Sequence, residues 1–236
     1  MEIKIIDNID KLLFYKMEWE CILKEIDNHI LFLELDWILF WWKFFGHKHE
    51  LFVILVTDFH KVVGICPLMK TKKGFYNEIG FIGCRQSIMM DFVLRDEYRE
   101  EGLGFILDFL IKLKGSNIIK LHGITENSKN FILLKEYLKA NGTVSYFSSM
   151  VCYFLNLKDI DFKTHFENRF GKETRYKMNK KEKKLNNLGR LVYKKVSDNE
   201  ADEIFYIHEK RWMRKIGNSS FSKGEVKDYY KALLLN

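Results

Sequence analysis

DFVLRDEYREEGLGFILDFLIKL, residues 91–113, is the stretch that decides the fold of this 236-residue chain. The apolar run Phe92-Val93-Leu94 predicts a short strand, and the amphipathic run after Gly104 predicts a helix. Between them, Arg99-x-x-Gly102-x-Gly104 predicts a glycine-bearing loop that leads into the first helical turn. Converging amides in such a loop, together with the positive end of the helix dipole, can hold a phosphate or pyrophosphate.

The same glycines have a plainer explanation, because they could serve only to bring a strand and a helix close together. A short glycine motif is weak evidence for a phosphate site until its structural context is known. The choice between the two interpretations therefore depends on the elements that surround the motif.

The composition is typical of a folded globular protein, with 47% hydrophobic residues, 15% aromatic residues and a single proline. No run approaches the ~20 apolar residues of a spanning helix, and the N-terminus does not resemble a signal peptide. We therefore expect a cytoplasmic protein. Cys21, Cys66, Cys84 and Cys152 form no C-x-x-C pair, so we expect buried, reduced thiols, no disulfide framework and no metal site.

Hydrophobic periodicity divides the chain into alternating helices and strands. The predicted helices are residues 8–28, 35–46, 104–113, 128–140, 162–170, 175–188, 198–213 and 225–235. The predicted strands are residues 51–56, 62–69, 78–83, 87–94, 117–123, 144–157 and 190–196. The pattern predicts an α/β (α+β) fold with a mixed central sheet flanked by helices. The aromatic residues of 35–46 are expected to pack in the core, with a ligand groove as the alternative.

Several pieces in this order resemble a GNAT (Gcn5-related N-acetyltransferase) domain over residues 50–155. The arginine–glycine motif after a hairpin and strand is similar to the acyl-CoA pyrophosphate-binding motif of that family. Asn130 and Tyr137, followed by Asn141-Gly142, resemble the later asparagine–tyrosine–glycine helix of the family. The resemblance implies a mixed sheet, and acetyl-CoA or another acyl-CoA as co-substrate without a metal.

The resemblance also implies roles for individual residues. The cofactor-binding residues that it implies are Val93, Leu94, Arg99, Gly102, Leu103, Gly104 and Asn130. Tyr137 would protonate the leaving thiolate, although a tyrosine that only packs on its helix is the alternative. Asp91 and Glu78 are weaker candidates for a general base. Glu100 and Glu101 depart from the family pattern, because carboxylates beside a pyrophosphate are unfavourable unless they point outward.

A longer match, from about residue 30 to the C-terminus, resembles the CelD/BcsL (BioF2-like) acetyltransferases, which are related to FemAB and carry two tandem GNAT-like domains. The match rests on residues 35–37, 41–46, 63–68, 171–175, 189 and 208–212. It implies a GNAT-like domain over residues 1–157 and an incomplete, basic second domain over residues 158–236. Family members continue beyond this point, so we expect a truncated chain of doubtful activity. The implied reaction is N- or O-acetylation of a polysaccharide- or cell-envelope-related acceptor.

The positive charge is concentrated in residues 172–195, which hold ten Lys and Arg residues against two Glu residues. That net charge of +8 exceeds the +7 of the whole chain. A solvated helix face is the plainest interpretation, and a site for an anionic saccharide or peptidoglycan precursor is the functional one. Sparse aromatic residues disfavour nucleic acid. A non-catalytic GNAT-like remnant that binds an anionic ligand or partner through this segment is therefore the alternative function.

The segment around His208 and Trp212 gives a further pair of candidates. The family resemblance implies that the segment faces the cleft between the two domains, so both residues are candidate acceptor-binding residues. A histidine on an apolar helix face is more commonly a core residue, and that alternative stays open.

Overall fold

A computed structural model describes residues 1–26, 30–83, 85–153, 161–192 and 197–235 of the protein. The chain divides into two compact units. The first unit comprises Met1–Ser145 and Ser220–Leu233, and most of the second is drawn from Tyr146–Ser219. The C-terminal helix therefore belongs largely to the first unit, although the sequence assigns it to the second domain. The domain boundary at residue 157 stays a prediction.

The first unit alternates strands and helices. Its strands are β1 (Glu2–Ile6), β2 (Glu50–Leu51), β3 (Val53–Asp58), β4 (Lys61–Cys66), β5 (Leu68–Lys73), β6 (Tyr76–Phe81), β7 (Val93–Leu94) and β8 (Asn117–Ile119). Its helices are α1 (Ile9–Leu13), α2 (Lys16–Glu25), α3 (Leu35–Phe45), α4 (Arg99–Ile111) and α5 (Lys129–Ala140), joined by nearly all of the C-terminal helix. The predicted mixed α/β class is confirmed.

The strands form two four-stranded sheets. The first has the order β1-β3-β4-β7 and is antiparallel throughout. The second has the order β2-β5-β6-β8, in which β6 and β8 are parallel. Pro67, which has no amide hydrogen for a ladder, separates β4 from β5 at the point where the chain changes sheet. Its carbonyl accepts a hydrogen bond from the Ile82 amide at 2.9 Å.

Leu94 fills the space between β4 and α4, and two glycines make room for its side chain. A Cβ atom on Gly64 would lie 2.4 Å from Leu94 Cδ2, and one on Gly102 would lie 3.2 Å from the same atom. Leu94 itself is fully buried. The strand–helix contact in the middle of the first unit therefore depends on two glycines that are distant in sequence.

The aromatic residues of α3 belong to the core, as the sequence predicts. Trp41 is 3% exposed, and its indole nitrogen donates to Gln86 Oε1 at 2.9 Å. Trp37 donates in the same way to Ser87 Oγ at 3.0 Å. On another side, Tyr229 of the C-terminal helix α9 (Gly224–Leu235) is fully buried among the aromatic rings of α3.

Several predicted elements differ from the structure. The strand predicted at residues 62–69 divides between β4 and β5, and of the strand predicted at residues 87–94 only Val93–Leu94 is a strand. The helix predicted at residues 8–28 is divided into α1 and α2 by a turn at residues 14–15, and its residues 27–28 lie outside the described residues. Residues 144–153 contain no strand, and the remainder of that predicted strand lies outside the described residues. Val144 and Tyr146 are 99% and 90% exposed. A β-forming sequence with no strand to pair with and no surface to cover does not become a strand.

Helices are the regular structure of the second unit over its described residues. It contains α6 (Phe162–Arg169), α7 (Lys172–Asn186) and α8 (Asp198–Ile216). Asp161 caps α6, a capping box of Ser197 and Glu200 begins α8, and Gly217 ends α8 with a φ of 69°. Most of the strand predicted at residues 190–196 lies outside the described residues, and residues 190–192 have no regular structure.

The two-residue turn between β3 and β4 provides a test of backbone strain. Phe59 and His60 have φ values of 42° and 70°, where asparagine and glycine are favoured. We expect the double change Phe59→Asn, His60→Gly to raise the free energy of unfolding by ~1 kcal/mol, because it removes this strain. Chemical denaturation measures the change.

The control for this prediction is Phe75→Asn in the β5–β6 turn. Phe75 is 90% exposed, as Phe59 is at 96%, but it has no positive φ. An equal gain from Phe75→Asn would mean that removal of an exposed aromatic ring, rather than relief of strain, accounts for the effect.

Candidate functional site

The arginine–glycine motif lies inside a helix. Arg99 begins α4, and Gly102 and Gly104 lie in its first two turns, so the predicted loop is wrong. The bend that precedes the helix is a short 3-10 helix over Asp96–Tyr98. Glu100 and Glu101 are exposed in the first turn, where their charges suit the positive end of the helix dipole. These carboxylates therefore favour a helix that begins at Arg99.

Strand β7 pairs with β4 along one edge, and its other edge faces away from β4. The Arg95 amide donates to the Val63 carbonyl at 3.0 Å, and Ile65 lies opposite Val93. Because hydrogen-bonded pairs alternate in an antiparallel ladder, the backbone of Val93 faces β4 and that of Leu94 faces away. In the described part of the chain, β7 pairs with β4 alone. The backbone groups of Leu94 therefore remain outside the ladder.

Asn130 is the centre of a buried polar network and is 2% exposed. Its Nδ2 donates to Asp91 Oδ1 at 2.8 Å and to the Phe92 carbonyl at 2.9 Å. Its Oδ1 accepts from Arg99 Nη1 at 2.8 Å. The side chain of Asn130 therefore uses both amide hydrogens and its oxygen to join the chain before β7 to α4 and α5.

The Arg99 guanidinium is held between two acceptors of the protein. It donates to Asn130 and to Asp96, and its side chain is 12% exposed. The bond with Arg99 lowers the pKa of the Asp96 carboxyl, which also lies 3.3 Å from Lys129 Nζ. A guanidinium has five N–H groups. In Arg99, Nη1 donates to Asn130 and Nη2 donates to Asp96. These bonds therefore fix the position of the Arg99 guanidinium at the start of α4.

Asp91 is a buried carboxyl that accepts hydrogen bonds from three groups. Its Oδ1 accepts from the Phe92 amide at 2.7 Å and from Asn130, and its Oδ2 accepts from Ser128 Oγ. Burial raises the pKa of this carboxyl, although the hydrogen bonds oppose the shift. Burial also raises the pKa of the nearby Cys66 thiol, whereas Cys21 and Cys152 are exposed, so the expectation of buried thiols is wrong for those two. The other base candidate, Glu78, lies in β6 and is 3.7 Å from Lys120 Nζ.

Tyr137 contacts a different part of α4. Its hydroxyl donates to Asp108, and this bond together with burial raises the pKa of Tyr137 to about 12, burial being the larger cause. Asp108 also pairs with Lys112 at 2.7 Å. Asp108 follows Arg99 by nine residues, which places it ~13 Å further along the helix axis. The structure therefore brings Asn130 to Arg99 but places Tyr137 beside the other end of α4.

Leu103 and Gly104, the last two residues of the motif, differ in burial. Leu103 is 1% exposed, so it contributes its side chain to the core. A Cβ atom on Gly104 would have no described neighbour within 4 Å, in contrast to the tight contact at Gly102. The surface over Gly104 is therefore open.

The two candidates in α8 form a local cluster in the second unit. His208 Nδ1 lies 3.3 Å from Ser219 Oγ, and the rings of His208 and Trp212 are 5.9 Å apart. The cations of Arg211 and Lys215 lie 5.8 and 5.0 Å from the Trp212 ring. The acceptor-binding role of His208 and Trp212 stays a prediction.

Sequence reasoning misses Ser128, which both caps α5 and donates to Asp91. A serine two residues before Asn130 is a recognisable N-cap signal, but its bond to a distant carboxylate is not. Among the described residues, no group of three or more His, Cys, Asp or Glu side chains could hold a metal ion. No described helix is both long enough and apolar enough to cross a membrane.

Comparisons with known proteins give one distant likeness. No protein-family description and no curated protein sequence matches the chain. A crystal structure of a possible acetyltransferase from Clostridium difficile 630 is similar at 15% identity and a TM-score of 0.38. The similarity covers 66% of this chain and 97% of the other. A likeness at this level does not establish a shared fold or activity.

Titration of Asp91 tests the burial of the network. Because the folded-state pKa of Asp91 is raised, its protonated form favours folding, and that stabilisation is lost as the pH rises through the folded-state pKa. We expect the stability of Asp91→Asn relative to the unchanged protein to increase as the pH rises from about 4 to about 7. Urea denaturation across this range measures the difference.

The matched control is Asp96→Asn, because the pKa of Asp96 is lowered rather than raised. Its stability relative to the unchanged protein should fall as the pH rises through the acid range below about 4, and should change little from about 4 to about 7. Parallel pH dependence in the two variants would contradict the assignment of a raised pKa to Asp91.

Proposed function

We propose that the protein is an acyl-CoA-dependent acyltransferase of the GNAT type. The residues that resemble the family motif lie together in the first unit, where α4 begins directly after β7. Asn130 of the second motif donates to the backbone before β7 and accepts from Arg99. The two sequence motifs that carry the resemblance are therefore in contact.

Gly104 is the single observation that carries the proposal. A glycine inside a helix costs ~1 kcal/mol relative to alanine, so its presence calls for a reason. At position 102 the close packing of Leu94 favours glycine, because a methyl group would meet its side chain. At position 104 a methyl group would meet no described neighbour. Close approach of a ligand to the helix backbone supplies a reason for Gly104.

The residues around this surface fit a pyrophosphate and an extended pantetheine arm. The first turn of α4 has no side-chain cap at Tyr98, so backbone amides at Glu100 and Glu101 are available to an anion. The Leu94 backbone lies outside the ladder but is buried, so it could pair with the amides of the arm only after the chain that covers it moves. Arg99 adds a fixed positive charge. The acyl-CoA would supply the activated thioester, and these residues would bind and orient it.

The finer assignments belong to the same proposal. The acceptor would be an amine or hydroxyl of a polysaccharide- or cell-envelope-related molecule, as the CelD/BcsL resemblance suggests. Tyr137 would protonate the leaving thiolate, and its raised pKa of about 12 means that it keeps its proton at neutral pH. To act in this way, its hydroxyl must leave Asp108. His208 and Trp212 would contact the acceptor, and the reaction would take place in the cytoplasm.

Substitution of Gly104 separates binding from folding. We expect Gly104→Ala to raise the free energy of unfolding by ~0.5–1 kcal/mol, because it removes a glycine from a helix. The same methyl group should weaken acetyl-CoA binding by about tenfold or more, a loss of ~1.4 kcal/mol. Calorimetry and chemical denaturation measure the two effects on one protein sample.

Gly102→Ala is the matched control in the same helix. Its methyl group would meet Leu94, so we expect no gain in stability from this variant. Failure of acetyl-CoA to bind the unchanged protein, or equal affinity of the Gly104→Ala variant, would overturn the proposed function.

The exposed lysines of α7 favour a second candidate function, namely binding of an anionic ligand without catalysis. Lys177 pairs with Glu173 within the helix. Lys180, Lys181, Lys183 and Lys184 are exposed, and no ion pair to them occurs within the described residues. Four unpaired charges on one short segment attract anions at low ionic strength.

Neutralisation of these lysines tests the second candidate. The change of Lys180, Lys181, Lys183 and Lys184 to Gln should abolish binding of a nucleotide-linked saccharide, because the attractive charges are removed. The binding should also weaken between about 50 and 200 mM salt and survive Arg99→Ala. Fluorescence anisotropy with a labelled ligand measures each affinity.

The control is the same charge change in the first unit, with Lys24, Lys72, Lys114 and Lys139 replaced by Gln. These lysines are exposed as well. An equal loss in the control, or loss on Arg99→Ala alone, would contradict a site on α7.

A further inference from the structure

A cleft of about 730 Å³ opens on the first unit, apart from the helix start at Arg99. It lies where β1 ends and α1 begins, and its other walls come from the end of α3, from the chain through β2 to Phe52, and from β5. None of its lining residues belongs to β7, α4 or α5. Its volume is in the range of ordinary small-molecule sites.

Trp42 forms a fixed aromatic wall of the cleft. A Cβ atom on Gly46 would lie 2.5 to 2.7 Å from three atoms of the Trp42 indole. Gly46 has a φ of −58°, which any residue adopts, so the backbone conformation does not require glycine there. The close approach of the indole does require it. Gly46 therefore allows the Trp42 ring to pack against the end of α3.

Two carboxylates on different sides of the cleft have no ion-pair partner among the described residues. Asp10 belongs to α1 and Glu50 to β2. Lys70 is opposite Glu50 across the β2–β5 ladder, but its Nζ lies 3.8 Å from the centre of the Phe52 ring instead. A cation over an aromatic face is stabilised there, which leaves the Glu50 carboxylate free.

The other polar groups of the cleft are already engaged. Asp7 pairs with Lys11 at 2.9 Å, and Asn8 caps α1. His47 lies 3.4 Å from Glu225, and His49 Nδ1 lies 2.7 Å from Thr71 Oγ1. The remaining charged groups of the cleft are Asp10, Glu50 and Lys70, and their net charge is −1. The C-terminal end of the α3 dipole, at Gly46, adds negative partial charge to the same cleft.

We propose that this cleft binds a small primary amine carried on a flat aromatic or apolar body. The ammonium group would pair with Asp10 and Glu50, and the body would lie against Trp42 and the apolar side chains of Ile9 and Leu51. A single excess negative charge suits a monocation better than a polyamine, because Lys70 repels additional positive charge. This site goes beyond the proposed acyltransferase function and needs no acyl-CoA.

Calorimetry of the full chain with three probes tests the site. Tyramine should bind, and 4-ethylphenol, which lacks only the amino group, should bind about tenfold more weakly or worse. Spermidine should bind no more tightly than tyramine. The double variant Asp10→Asn, Glu50→Gln should reduce the affinity for tyramine to that for 4-ethylphenol.

The control variant is Glu18→Gln, Glu136→Gln, which removes two negative charges outside the cleft. It should keep the affinity for tyramine, and thermal unfolding should show that all variants are folded. The proposal is overturned by absence of tyramine binding, by equal affinity for 4-ethylphenol, by tighter binding of spermidine, or by an equal loss in the control. Because no acyl-CoA is present, these outcomes are independent of the proposed acyltransferase function.

Discussion

The buried amide of Asn130 is the interaction on which the centre of the first unit depends. A polar side chain buried without partners costs ~1–3 kcal/mol, so Asn130 is tolerated only because its two donated bonds and one accepted bond are all made. These bonds fix Asp91 and the Phe92 carbonyl on one side and Arg99 on the other. The position of β7, the start of α4 and the start of α5 are therefore set by one residue.

The same network limits what Arg99 can do for a ligand. Its guanidinium is charged and well placed at the start of α4, but Asp96 and Asn130 already accept from it. An anion at this position would share Arg99 with Asp96 rather than meet a free cation. The fixed charge makes a preorganised site, while the competing carboxylate reduces the net attraction. The open backbone at Gly104 therefore has a larger part in the proposed acyl-CoA site than the arginine alone.

The two glycines of the motif show how far sequence reasoning reaches. A strand before Arg99, a helix after it and a mixed α/β fold follow from hydrophobic periodicity, and the structure has them. The prediction of a loop is wrong because glycine signals conformational freedom, whereas the glutamates between the glycines and the packing of Leu94 favour a helix. Similarly, the strand predicted at residues 144–157 has the right composition, but residues 144–153 find no partner strand.

By itself, the sequence determines the fold class, the order of most elements, the basic α7 segment and the candidate residues from 93 to 137. Only the tertiary structure decides which of these residues meet. Asn130 contacts Arg99, and the Tyr137 hydroxyl donates to Asp108. Leu94 packs against Gly102, whereas the surface over Gly104 is open. The tertiary structure also assembles the Trp42 cleft from segments up to 65 residues apart. Periodicity reports the local backbone and its buried face, whereas these contacts depend on how distant elements pack.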